Sequence, residues 1–191
     1  DGFQGTVFVN YAMGSSMGQA SGFVNANVGD LKGLQATGFV NVNTGRVEGA
    51  QLAGFVNATK ILKGTQIGFI NVADSVEKGT PIGFLSFVRS GYHTFQLSTS
   101  ETLYGIASFK TGTRSFYNIL SIGGGVRNDK LLYGWGYGVG TIMDVSRKLD
   151  LAIEVEAYHI VEDEWEGHRF NLWSKINTQV SYQISDRFSV F

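Results

Sequence analysis

Cysteine is absent from this chain, and proline occurs once, at Pro81. Without cysteine there is no disulfide framework and no thiolate metal site, and the redox compartment stays open. Without interrupting prolines, extended segments can run on as a continuous sheet. Charge of one sign is missing too. Lys and Arg number 15 against 16 Asp and Glu, for a net charge of −1. That leaves no basic footprint for nucleic acid. No apolar run approaches the ~18 residues of a membrane helix, and no helix-length amphipathic segment occurs anywhere. The chain opens at Asp1 in mid-pattern, and Phe191 falls out of phase with the apolar face ending at Tyr182 and Ile184. A mature or trimmed form is therefore the expectation.

What is abundant is glycine, at 26 residues, and one phrase built on it. Gly22-Phe23-Val24-Asn25 returns at Gly38, Gly54 and, as Gly-Phe-Ile-Asn, Gly68, then as Gly83-Phe84-Leu85-Ser86. A Gln precedes four of these, at Gln19, Gln35, Gln51 and Gln66, and a fainter copy is Val7-Phe8-Val9-Asn10. Such self-similarity means one structural unit copied along the chain. Within a unit the residues alternate: Leu34, Ala36, Gly38, Val40 and Val42 against Gln35, Thr37, Phe39, Asn41 and Asn43. Period two is a strand. One residue fewer separates Gln66 from Gly68, so a bulge or register shift is expected there. Charges fall between the alternating segments, at positions such as Asp30, Lys32, Arg46, Glu48, Lys60 and Lys63.

Beyond residue 91 the repeat stops and the alternation continues. Tyr133, Trp135, Tyr137 and Val139 face away from Gly134, Gly136, Gly138 and Gly140. That glycine ladder lacks a following helix, so it is no phosphate loop; it makes room for large neighbours or strong curvature. Leu149 to Ala157 and Phe170 to Ile184 alternate strictly.

Three architectures fit an all-β chain of this kind. The favoured one is an antiparallel transmembrane β-barrel of about 12–14 strands with short turns, forming a single domain over residues 1–191, with a repeat half (1–91) and a non-repeat strand half (92–191). Ten residues tilted by about 45° rise roughly 23 Å, near the apolar band of a barrel. The alternative is a β-solenoid over the repeats followed by antiparallel strands. The objection to it is that a coil of ~15 residues holding an unbroken ten-residue strand cannot return to its start. A soluble sandwich is the third; its small apolar face of Ala, Gly and Val leaves little bulk to pack.

On the barrel reading Val40, Val56, Leu151, Ile153, Val155, Leu172, Ile176 and Val180 face lipid. Gln35, Asn41, Asn57, Asp150, Glu154, Glu156, Arg169, Lys175 and Gln179 face the lumen, because hydrocarbon offers no partner to an amide or charge. The Phe row (Phe23, Phe39, Phe55, Phe69, Phe84) shares the lumen face and narrows it. The Gly-x-Gln-x-x-Gly-Phe-Val-Asn units, Gly91-Tyr92-His93, Phe116-Tyr117-Asn118 and Tyr133 to Gly138 together resemble a group of surface-repeat outer-membrane proteins of Gram-negative bacteria. The resemblance implies an outer-membrane or surface location and supplies no catalytic residue.

The functional expectation is a non-catalytic barrel. It would be structural or accessory within an envelope assembly, or a passage for small solutes. Its partners would be membrane lipid and other envelope proteins, and it would need no cofactor or metal. A surface-exposed adhesion or interaction repeat is the alternative. An outer-membrane lipid hydrolase would need Ser174, His159 and Glu156 assembled as a triad.

Overall fold

The computed structural model describes residues 2–127, 130–162, 171–185 and 188–190, and everything below concerns these. Sixteen strand segments account for the regular structure. In the repeats these are β1 (Phe3–Thr6), β2 (Val9–Met13), β3 (Ser16–Ser21), β4 (Val24–Val28), β5 (Leu31–Thr37), β6 (Val40–Ala53), β7 (Val56–Ile67), β8 (Ile70–Ile82) and β9 (Leu85–Val88). Then come β10 (Tyr92–Ser98), β11 (Gly105–Thr113), β12 (Phe116–Arg127), β13 (Lys130–Ser146), β14 (Leu149–Glu162), β15 (Leu172–Ser185) and β16 (Phe188–Val190).

The expected single barrel gives way to two compact units. One comprises Asp1–Tyr92 with Thr111–Thr113, the other His93–Lys110 with Arg114–Phe191. In the first unit every strand pairing is parallel, and identical residues fall in register: Gln19 with Gln35, Gln51 and Gln66, and Asn25 with Asn41, Asn57 and Asn71. Parallel pairing at a spacing of one repeat is a β-solenoid, the alternative architecture, and it overturns the antiparallel barrel for residues 1–91.

The geometric objection fails because the strand it assumes, running straight through Gly-Phe, is broken there. The chain bends at Gly22-Phe23 and at each later Gly-Phe, and the long strand between two such bends is itself irregular, with a register shift between Asn43 and Arg46 in β6. Glycine is required at the Gly-Phe bends by close approach. A Cβ on Gly38 would lie 2.4 Å from the carbonyl oxygen of Gly22, and one on Gly54 2.2 Å from that of Gly38. A second row, Gly33, Gly49, Gly64 and Gly79, holds φ between +122° and +149°. A Cβ there meets the carbonyl of the coil below at 2.2 Å or less. Side chains are excluded on both counts.

The short repeat at Gln66 keeps its register. Gln66 still pairs with Gln51, and Asn71 with Asn57. The missing residue is absorbed at the corner: β6 ends at Ala53, one residue beyond Leu52, the partner of Ile67, the last residue of β7. Phe55 and Phe69 are tilted by 50° at that step, while the neighbouring pairs stack within 8°.

The second unit is a seven-stranded antiparallel meander in sequence order, β10 to β16. β13 and β14 pair over almost their whole length, as do β14 and β15. β1 and β16 belong to different sheets, so the closure that a single barrel requires does not occur. Each unit has a small apolar cluster: Leu31, Val47, Leu62, Ala73 and Val88 in the solenoid, and Leu103, Ile106, Leu132, Tyr158 and Ile160 in the meander.

Candidate functional site

Inside the solenoid the buried material is mostly amide. Gln35, Asn41 and Asn57, expected to line a lumen, are wholly buried inside the coil. They fill that space and line no passage. The side chains form two ladders. Gln35 Nε2 donates to Gln19 Oε1 at 2.8 Å, and Gln51 Nε2 to Gln35 Oε1 at 2.6 Å. Asn25 Nδ2 donates to Asn41 Oδ1, and Asn41 Nδ2 to Asn57 Oδ1, both at 2.9 Å. The Gln ladder donates toward the N-terminal coil and the Asn ladder away from it, so their amide dipoles oppose. Each Asn also donates to backbone carbonyls, as Asn41 does to Gln35 and Leu52. A buried amide costs little when its bonds are made and about 1–3 kcal/mol when one is left open.

The Phe row is a correction. It does not share the interior with the Asn ladder. Phe8, Phe23, Phe39, Phe55, Phe69 and Phe84 stack along the outside of the corner, with centroids 4.9–6.0 Å apart. Each is about half exposed or more. Apolar rows flank it: Ile67 and Ile82 on one side, Val42, Val72 and Phe87 on the other. Beside it runs a shallow groove of ≈ 630 Å³ lined by Ala20, Ser21, Ala36, Thr37, Leu52, Ala53 and Ile67. The far edge of the coil is charged. There Lys63 Nζ lies 2.7 Å from Glu48 Oε1, and Arg46 pairs with Glu77. These partners raise the Arg46 pKa and lower that of Glu48.

The meander buries charge instead. On one face of its sheet Lys110 pairs with Glu154, whose Oε1 also accepts from the Tyr117 hydroxyl at 2.7 Å. Glu156 accepts from the Tyr158 hydroxyl at 2.6 Å, Asn177 Nδ2 at 3.0 Å and Ser121 Oγ at 3.2 Å, and pairs with Lys175 at 3.1 Å. Glu156 and Lys175 stand directly opposite in the β14–β15 register. Asp150 pairs instead with Arg114, at 2.8 Å. Gln179 is half-buried and donates to Ser181 Oγ at 3.3 Å. Arg169 lies outside the described residues.

The glycine ladder of β13 opens this space. A Cβ on Gly136 would fall 2.6 Å from the Tyr158 ring, on Gly138 2.6 Å from Glu156 Cγ, and on Gly140 2.5 Å from the Tyr117 ring. Lys110 and Ser121 were not singled out from sequence. The alternation Ile106, Ser108, Lys110 places Lys110 on the buried face and was the available signal.

A hydrolase triad does not assemble. Ser174 pairs with Ala157, and His159 with Leu172, which puts Ser174 and His159 on the outer face. Glu156 is one residue out of phase, on the opposite, buried face. No group of three or more His, Asp or Glu suited to a metal occurs among the described residues.

The class these features define is an all-β repeat protein: a parallel β-solenoid stapled by amide ladders, with an antiparallel meander built around buried charge pairs. Comparison with protein-family models, with curated proteins and with solved structures finds no match to this chain.

Proposed function

We propose that this chain is a non-catalytic outer-membrane protein, structural or accessory within an envelope assembly, that meets lipid with its apolar outer surfaces. The observation that carries this reading is inverted polarity. In the meander Leu97, Ile122, Trp135, Leu172 and Ile176 are 60–74% exposed, while Lys110, Glu154 and Glu156 are at most 5% exposed. Water-facing proteins rarely expose contiguous apolar surface beyond a few hundred Å². Hydrocarbon reverses the preference, since a charge facing lipid has no partner. Strands of 12–17 residues in β12 to β15 exceed the ~9–11 a bilayer crossing needs. In the solenoid the Phe edge is apolar and the opposite edge charged, an amphipathic division suited to an interface.

Flotation with lipid vesicles tests it. The chain should float, resist extraction at high salt and need detergent for dispersal. A chain that is monodisperse without detergent and stays at the bottom of the gradient sinks the proposal. A surface-exposed interaction repeat is the second reading. It is favoured by the groove beside the Phe row, which offers small side chains flanked by aromatic rings.

A further inference from the structure

Charge in the solenoid is confined to one side of the coil. Residues 33–45, 49–59, 64–73 and 79–88 contain no Asp, Glu, Lys or Arg, and each stretch holds one Gly-Phe bend. Entering the bend, Ala36, Leu52, Ile67 and Ile82 form an in-register row. Leaving it, Val40, Val56, Ile70 and Leu85 form another. None of these side chains is buried. The amides of the same stretches turn inward and bond along the ladders.

The bend itself is satisfied as well. The N–H groups of Val24, Val40, Val56, Ile70 and Leu85 donate to the carbonyls of Phe8, Phe23, Phe39, Phe55 and Phe69, at 2.7–3.0 Å. The rings stack within 8° of parallel from Phe23 to Phe55 and again at Phe69–Phe84. They turn their edges outward and offer no open face to a sugar ring. Hydrocarbon requires backbone groups to be bonded internally and gives a charge no partner. This corner meets both conditions.

We propose, on the reading that the chain meets lipid, that the solenoid sits edge-on in one leaflet of a bilayer, with the Phe corner toward the midplane and the charged edge among the headgroups. The dimensions agree. Lys60 follows Phe55 by five residues, about 16 Å at a rise of ~3.3 Å, and Lys63 precedes Phe69 by six, about 20 Å. The hydrocarbon of a bilayer is about 30 Å thick, so one leaflet is about 15 Å deep. The charges agree too. Lys32, Arg46, Lys60, Lys63, Lys78 and Arg89 outnumber Asp30, Glu48, Asp74 and Glu77, which suits headgroup phosphates. Successive coils then stack along the membrane plane and reach the same depth. A solenoid lying flat would hold its charged edge and its Phe corner at one level.

The absence of cysteine allows single labels. Phe55→Cys, Ala58→Cys and Lys60→Cys, each carrying a polarity-sensitive fluorophore, mark three levels between corner and charged edge. The full chain is reconstituted with vesicles of phosphatidylcholine and phosphatidylglycerol whose acyl chains are brominated near the headgroup, at mid-chain or near the tip. The Phe55→Cys label should lose most emission to bromine near the tip, the Ala58→Cys label to bromine at mid-chain, and the Lys60→Cys label to bromine near the headgroup. Phe39→Cys and Val42→Cys, one coil away, should repeat the first two depths, so the result does not hang on one variant. A chain that does not float with vesicles overturns the lipid reading and edge-on insertion together. A chain that floats while all labels answer to the same bromine, or while the corner labels answer to bromine near the headgroup, leaves the lipid reading to the meander and overturns edge-on insertion alone.

Discussion

Gln51 and Glu154 are both hidden from water, yet they are held in opposite ways. Gln51 is bonded to Gln35 and Gln66, the same residue type one coil below and one above. Glu154 is bonded to Lys110 and Tyr117, which are 44 and 37 residues away in sequence and belong to two different strands. An amide needs no countercharge, only another amide at the spacing of neighbouring strands. The solenoid can therefore be lengthened by copying, and its weak points are its ends. A carboxylate needs a particular cation from a particular strand. The meander is thus a closed set, in which every member is specified and none is interchangeable.

The comparison breaks first at the charge. Lys110→Met leaves Glu154 buried with only the Tyr117 hydroxyl beside it. It should cost about 3–5 kcal/mol, the penalty for a buried charge without its partner. Lys110→Met with Glu154→Gln removes the charge and keeps an acceptor for Tyr117, and should recover most of the loss. Denaturant titration of both variants checks this. If the single substitution costs less than about 1 kcal/mol, the pair is wet and the contrast between the units dissolves.

Within the ladder, position should decide the cost. Gln51→Leu leaves Gln35 Oε1 without a donor and takes from Gln66 Nε2 the shorter of its two bonds, the other going to the Val72 carbonyl at 3.4 Å, at about 1–3 kcal/mol for each bond lost. Gln66→Leu orphans only Gln51 Oε1, because Gln66 Oε1 already lacks a partner beside Pro81. The expected ranking in thermal unfolding is Gln51→Leu below Gln66→Leu, with Gln66→Leu about half as damaging. Equal losses would mean that each coil stands alone and the ladders couple nothing.

The glycines of β13 test the meander on a smaller scale. Gly136→Ala drives a methyl into the Tyr158 ring and should cost about 1–3 kcal/mol. At Gly124 the nearest atom to an added Cβ is 3.5 Å away, so Gly124→Ala is the neutral control. Unfolding midpoints of the two variants compare them directly.

Much of this was readable in the residues, and the failure has one cause. Alternation identified the strands and put Gln35, Asn41, Glu154 and Glu156 on faces opposite Val40 and Val155. It hid the corner. With five residues between Gln35 and Asn41, and between Gln51 and Asn57, the bend at Gly-Phe preserves parity, and alternation runs through it as if through one straight strand. Only at Gly68-Phe69, with four residues between Gln66 and Asn71, does the phase flip, and there the break reads as a bulge. Phe39 was misplaced for the same reason: parity assigns it to the face of Asn41, while the bend turns it out. Direction of pairing was equally hidden, because period two is common to parallel and antiparallel strands. The Lys110–Glu154 pair was out of reach, since alternation says which face a residue takes and nothing about which distant strand lies beside it.

The smallest effect belongs to the charged edge of the solenoid, and its sign is fixed. Glu48 is about half exposed, and its pKa is lowered first by the hydrogen bond from Lys63 and then by the attraction of that charge. A carboxylate with a lowered pKa in the folded chain stabilises it above the unfolded pKa. The contribution is lost as pH falls through the folded value. Glu48→Gln should therefore lower the unfolding midpoint slightly at about pH 7 and make no difference at about pH 3, below the ordinary carboxylate range. Raising salt should shrink the difference at neutral pH, because an exposed pair is screened. The corresponding profile for Lys110→Met should respond far less to salt, because its partners are buried. Salt profiles of equal steepness would place the two pairs in the same environment and end the distinction between an edge that meets water and an interior that does not.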